Sequence, residues 1–211
     1  RLVIVDEYWA DGQAPDATLN LEQELEKRTT FSVTHHTVNQ GVKDKCTRDM
    51  WRYSLIPHVF PAQATTVVLW AVGITDLLEG VDIPTLQTRL RFLVQATLAD
   101  GALPVLMTPP PLTALGDDYV RTASLMIKRL GLTAGIPVVD AYSQALANQR
   151  TRAGFEKQFL TSPQTGFTLN TLNNDGRRWL ADLIEDNLAM IKSHRPAFGT
   201  QSPAGRILNA E

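Results

Sequence analysis

Five carboxylates stand just beyond apolar runs of this sequence: Asp6, Glu7 and Asp11 follow Leu2–Val5, Asp44 follows a run ending at Val38, and Asp76 follows Thr66–Val72. Gathered in one place, such groups could ligate a hard cation through oxygen or serve as a general acid and base pair. Tyr8 and Trp9 lie among them, and Gln40, Asn170, Asn173 and Asn174 add amides. Stacking faces beside hydrogen-bonding groups suit a carbohydrate. The nucleophiles are less promising. Cys46 is the single cysteine, which excludes an internal disulfide and any multi-cysteine metal site, and a lone thiol is most often a small core hydrophobe. Ser54, Ser143 and Ser162 lack the strand-to-helix elbow that exposes a catalytic serine. Of His35, His36 and His58, only His36 is expected to face a cleft.

Positioning these groups requires a sheet. Leu2–Val5, Phe31–Val38, Thr66–Val72, Ala102–Thr108 and Ile136–Val139 are short, rich in β-branched residues and bounded by Gly, Pro or Asp, the pattern of strands buried on both faces. Helical stretches fall between and after them at Leu19–Lys27, Thr47–Ile56, Ile83–Ala99, Tyr119–Gly131 and Asp175–Lys192. Leu86, Leu90, Leu93, Val94 and Leu98 recur every three or four residues, the stripe of a helix lying on a sheet. Strands alternating with helices imply a three-layer α/β/α sandwich around a five-stranded, mainly parallel sheet. Function in such a sheet gathers beyond the carboxyl ends of the strands. The loops there are Asp6–Gly12, Asn39–Cys46, Gly73–Gly80, Thr108–Gly116 and Thr161–Asn174.

The chain has 211 residues, 44% of them apolar, which suits one α/β domain over residues 1–193, followed by an extended tail over 194–211. Its 20 basic and 22 acidic residues are interspersed, without the basic stripe a phosphate backbone demands, so nucleic acid is not an expected partner. No apolar run approaches the ~20 residues that cross a bilayer. The start at Arg1, directly on a strand, is consistent with removal of an upstream segment; a secretory leader would place the chain in the periplasm or outside the cell.

Block by block, the loops resemble those of the SGNH (GDSL) hydrolases. Val3-Ile4-Val5-Asp6-Glu7-Tyr8-Trp9 is similar to the strand that runs into Gly-Asp-Ser-Leu. Asn39-Gln40-Gly41-Val42-Lys43-Asp44 resembles Asn-x-Gly-x-Ser-Gly, and Gly73-Ile74-Thr75-Asp76 resembles Gly-x-Asn-Asp. Gly101–Pro111 and Gly135–Tyr142 are similar to the family's fourth and fifth strands. Thr171-Leu172-Asn173-Asn174-Asp175-Gly176 matches the His-to-Gly spacing of the block Asp-x-x-His-x-Asn-x-x-Gly, with Thr168 at the Asp position.

The resemblance implies an esterase fold without the esterase chemistry. Tyr8 stands for the nucleophilic Ser, Asp44 for an oxyanion-hole Gly, Thr75 for an oxyanion-hole Asn, and Thr168 and Thr171 for the catalytic Asp and His. A phenol with a pKa near 10 and no matched base stays protonated, and a threonine is no base near neutral pH. A carboxylate at Asp44 repels the oxyanion, where loss of a single donor already costs about two to three orders of magnitude. The sequence therefore points to a pseudo-esterase with no catalytic residue, cofactor or metal assigned. Asp6, Glu7, Tyr8, Trp9, Gln40, Asp44, Asp76 and Asn173 are its expected binding residues, and other protein subunits or a glycan its expected partners. The alternative is a hydrolase of unorthodox mechanism that uses the carboxylates or a metal.

Overall fold

Aliphatic five-residue runs build the centre of the molecule. In β1 (Leu2–Asp6), β3 (Val67–Ala71) and β4 (Leu103–Met107) every residue is buried, as strands covered by helices on both faces must be. The computed structural model describes residues 1–6, 19–37, 66–99, 101–112, 116–149, 151–161 and 171–193. With β2 (Val33–Thr37) and β5 (Val138–Val139), these strands form one sheet in the order β2-β1-β3-β4-β5, and every pairing is parallel.

Seven described helices surround it: α1 (Leu21–Arg28), α2 (Ile74–Leu78), α3 (Ile83–Ala99), α4 (Asp117–Ala134), α5 (Ala141–Gln149), α6 (Arg152–Phe159) and α7 (Asn174–Ser193). The strand order runs one way from β1 to β2 and the other way from β3 to β5, so right-handed crossovers place the connecting helices on opposite faces. α1 packs against α7 on one face, and α3 against α4 on the other. The result is the expected three-layer α/β/α sandwich.

The edge at β2 is covered by side chains of α1. Glu22 and Glu26 are one helical turn apart, and their carboxylates accept the outward-facing N–H groups of His35 and, at 3.1 Å, Val33. An exposed parallel edge would otherwise offer those donors to another chain.

Several boundaries differ from expectation for identifiable reasons. The fourth helix continues through Gly131 to Ala134 and ends at Gly135, which adopts the left-handed conformation (φ 67°) and returns its N–H to the carbonyls of the last turn. Gly131 is a contact rather than a stop: a Cβ there would lie 2.1 Å from Val138 Cγ2, so the glycine lets α4 press onto β5. β5 shortens to two residues because Ile136 N–H bonds back to Gly131 and Pro137 has no N–H to give. α2 occupies a segment expected to be loop, and α5 and α6 were not anticipated. The expected helix Thr47–Ile56, Cys46, His58 and the tail 194–211 lie outside the described residues.

The edge arrangement is testable. Replacing Glu22 and Glu26 together by Ala should destabilise the fold by about 1 kcal/mol per lost bond. Hydrogen exchange should accelerate selectively at the Val33 and His35 amides; unchanged protection there would show that the two carboxylates do not guard the edge.

Candidate functional site

At the carboxyl end of β1, Asp6 is fully buried and its Oδ1 lies 3.0 Å from His35 Nε2. The strand register explains the pairing. Ile4 is opposite His35 and Asp6 opposite Thr37, so His35 and Asp6 share a face one pleat apart. The sequence offered no sign of this pair, since it depends on the register of two strands separated by 29 positions.

Beyond β3 the chain turns at Gly73, whose φ of 108° is open to glycine and strained for other residues. Thr75 follows, half-buried in the first turn of α2. Asp76 is fully buried and pairs with Arg89 of α3, while its carbonyl accepts the Val81 N–H at 2.9 Å. The Val81 carbonyl accepts the hydroxyl of Tyr119, a phenol pushed above its ordinary pKa by burial and by the nearby charges of Asp82 and Asp76. Asp82 caps α3 through the N–H and hydroxyl of Thr85, which hold its carboxyl below the usual range. The whole segment 73–82 is thus braced between two helices.

After β5, Asp140 receives the Ser143 N–H at 3.1 Å and Lys128 Nζ at 2.7 Å. Burial alone would raise its pKa, but the hydrogen bonds from Lys128 and Ser143 outweigh burial and hold the carboxyl below the ordinary value. Thr108, at the end of β4, donates to Asp140 and accepts the Tyr142 N–H at 2.9 Å, tying the ends of the two strands together.

The last block is the most tightly constrained. Thr161 and Thr171 face each other across the base of the intervening loop. The Thr161 N–H reaches the Thr171 carbonyl at 2.8 Å, and the two hydroxyls are 3.0 Å apart. Leu160 bridges Leu172 in antiparallel fashion, and Asn173 N–H bonds to Phe159 O at 2.9 Å. The Asn173 side chain caps α7 by accepting the Gly176 N–H at 2.9 Å and donates to Gln158 O at 2.8 Å. Gly176 has no alternative: a Cβ would sit 2.3 Å from Phe159 O and 2.8 Å from Leu172 Cδ2. From the same helix turn, Asn174 Oδ1 accepts the Leu19 N–H at 3.0 Å and Arg177 donates to the Leu19 carbonyl at 2.5 Å, clamping the entry to α1. Phe155, Phe159 and Trp179 pack behind this junction with ring centroids 5.0–5.8 Å apart.

Of the expected binding residues, the structure thus places Asp6 beside His35, Asp76 beside Arg89 and Asn173 at the α7 cap. Of the positions that the resemblance set against catalytic residues, it places Thr75 at the first turn of α2 and Thr171 opposite Thr161. Glu7, Tyr8, Trp9, Asp11, Gln40, Asp44 and Thr168 lie outside the described residues. Among the described residues no three His, Cys, Asp or Glu side chains form a group able to hold a metal ion.

Neither family models nor curated proteins give a match to the chain. Solved structures do. An acetyl xylan esterase, AlAXEase, superposes with a TM-score of 0.65 at 15% identity, over 89% of this chain and 100% of that one. The psychrotrophic esterase EstA from Pseudoalteromonas sp. gives 0.62 at 15%, over 91% and 98%. A member of the lipolytic G-D-S-L family from Veillonella parvula gives 0.64 at 12%, over 90% and 97%. The likeness is one of fold, and it is the fold that the sequence blocks led one to expect.

Two outcomes follow from this geometry. Gly176→Ala should lower stability by about 1–3 kcal/mol or more, because the added methyl meets a backbone carbonyl that cannot rotate away; urea denaturation measures it, and a neutral result would contradict the close approach. For Asp140, a folded pKa below the unfolded value means stabilisation that is present above pH ~4 and lost as pH falls through the folded value. Asp140→Asn keeps a capping side chain but loses the charge. It should be less stable than the parent at pH 7, with the difference closing in acid; a difference constant with pH would rule this out.

Proposed function

Starting from the G-D-S-L hydrolase fold, we propose that this chain is a pseudo-esterase: a non-catalytic domain that acts as a scaffold for other protein subunits or as a glycan-binding module. The observation that carries the proposal is the state of Thr171. Where the resemblance expects an imidazole, a buried threonine has its hydroxyl 3.0 Å from that of Thr161 and its carbonyl held by the Thr161 N–H. That position supplies no proton acceptor for a nucleophile, and acyl transfer by this route needs one. The described carboxylates at the same end of the sheet support the proposal as well. Asp6 and Asp76 are each committed to a cationic or imidazole partner from a neighbouring element.

One observation favours a hydrolase instead. The Asp6–His35 couple is a carboxylate oriented against an imidazole, the two parts of a relay, at the end of the strand that leads to Tyr8. The couple is buried, with the His35 side chain 2% exposed. Burial of this kind fits a structural hydrogen bond between β1 and β2, and a general base needs a path to substrate.

The purified chain should leave short acyl esters and acetylated sugars unhydrolysed, and Thr171→His alone should not restore turnover, since Tyr8, Asp44 and Thr75 also depart from the catalytic pattern. Turnover above the buffer rate that disappears in Tyr8→Phe, Asp44→Ala or a folded His35→Gln would overturn the pseudo-esterase proposal and establish the hydrolase. Calorimetric titration with neutral oligosaccharides separates the two uses: heat of binding that is lost on Trp9→Ala supports a glycan site, and none supports the scaffold.

A further inference from the structure

α3 and α4 lie side by side on the face of the sheet opposite α1 and α7. A groove of about 520 Å³ runs between them, lined by Gln87 and Arg91 from α3 and by Leu125, Met126, Arg129 and Leu130 from α4. The α4 wall extends from Thr122 to Thr133 at helical spacing, which is about three turns or ~16 Å. The large apolar side chains left exposed among the described residues are all on these two helices: Leu125 at 57% in the groove, and Phe92 at 43% and Leu132 at 84% elsewhere on them. Leu125 gives the groove an exposed apolar anchor beside the partly accessible edges of Met126 and Leu130.

The charges around the groove have one sign. α3 contains no acidic residue, and α4 contains none after Asp118. Arg89 is paired with Asp76, Arg121 with Asp118 and Lys128 with Asp140. Arg91 and Arg129 are exposed, line the groove, and have no ion-pair partner among the described residues. Two guanidinium groups beside the exposed Leu125, in a groove otherwise lined by Gln87, Thr122 and Thr133 over Met126 and Leu130, complement an occupant that carries carboxylates beside aliphatic anchors. A trough three turns long between two neighbouring helices matches the apolar stripe of a third.

We infer that this groove docks an amphipathic, acidic helix of a partner protein, its leucine-type side chains seated against Leu125, Met126 and Leu130 and its carboxylates against Arg91 and Arg129. A second copy of this chain is a poorer occupant. The acidic helices it would offer are α1 and α7: Glu22 and Glu26 are committed to the β2 amides, Glu24, Asp182 and Glu185 to Arg28, and Asp175 to Arg178. The inference rests on the scaffold role proposed above and names the surface through which that role is exercised.

The probe is a fluorescein-labelled, end-capped helical peptide of about twelve residues, with leucines at i, i+3 and i+7 and glutamates flanking them. It should bind saturably in anisotropy titrations, weaken as salt rises, and shift the amide resonances of Arg91, Leu125 and Arg129. Affinity should fall by about tenfold or more in the double variant R91E/R129E, whose exposed positions leave the fold intact by circular dichroism. A lysine version of the peptide should bind that variant and not the parent chain. Four results would overturn the inference: no saturable binding by the acidic peptide, equal binding of the lysine version, resonance shifts confined to another face, or a homodimer dissolved by Leu125→Glu. Ester hydrolysis by the same preparation would sink the pseudo-esterase proposal and leave the groove standing.

Discussion

At the first turn of α7 the backbone of Gly176 approaches the carbonyl of Phe159 so closely that no side chain fits between them. The last block of the site end leans on that contact. Because α7 can press there, Asn173 can cap the helix and reach Gln158 in the same conformation, and Thr171 is drawn against Thr161. Because α7 is anchored, Asn174 and Arg177 are in place to hold both backbone groups of Leu19, which leads into α1. α1 in turn supplies the carboxylates that cover the β2 edge. A single close approach thereby aligns one helical layer and one sheet edge.

The same residues show how much of the sequence around the site end serves the fold itself. Asn173 and Gly176 of the last block have structural work that is independent of any substrate, namely a cap and a contact too tight for a Cβ. Gly73 and Asp76 of the third block are alike in this respect, one for its backbone conformation and the other for its buried pair with Arg89. Thr171 likewise has a structural part, its hydroxyl set 3.0 Å from that of Thr161.

Much of the scaffold was legible in advance. β1, β3 and β4 fall within a residue or so of their apolar runs, and α3 spans Ile83–Ala99 as its stripe indicated, because burial on both faces or on one face writes a strong period into the sequence. The misses share a cause in short range. α2 is five residues long and cannot display a period, and α6 carries Gly154 within eight residues. Gly131 read as a helix end because a glycine dictated by a neighbour's Val138 looks the same in sequence as one dictated by its own dihedral angles. The Asp6–His35 pair was hidden for a related reason: strand register is a property of two segments together.

The clamp on Leu19 joins parts of the chain more than 150 positions apart. The apolar face of α1, Leu21 and Leu25, is buried, and its packing is completed when α7 joins β2 against it. During synthesis the first helix must therefore wait for nearly the last described one, while β3, α3, β4 and α4 can assemble from near neighbours. Opening should run in reverse, so that the α1–α7 layer is the part of the molecule with the greatest freedom to part from the sheet while the α3–α4 layer stays closed.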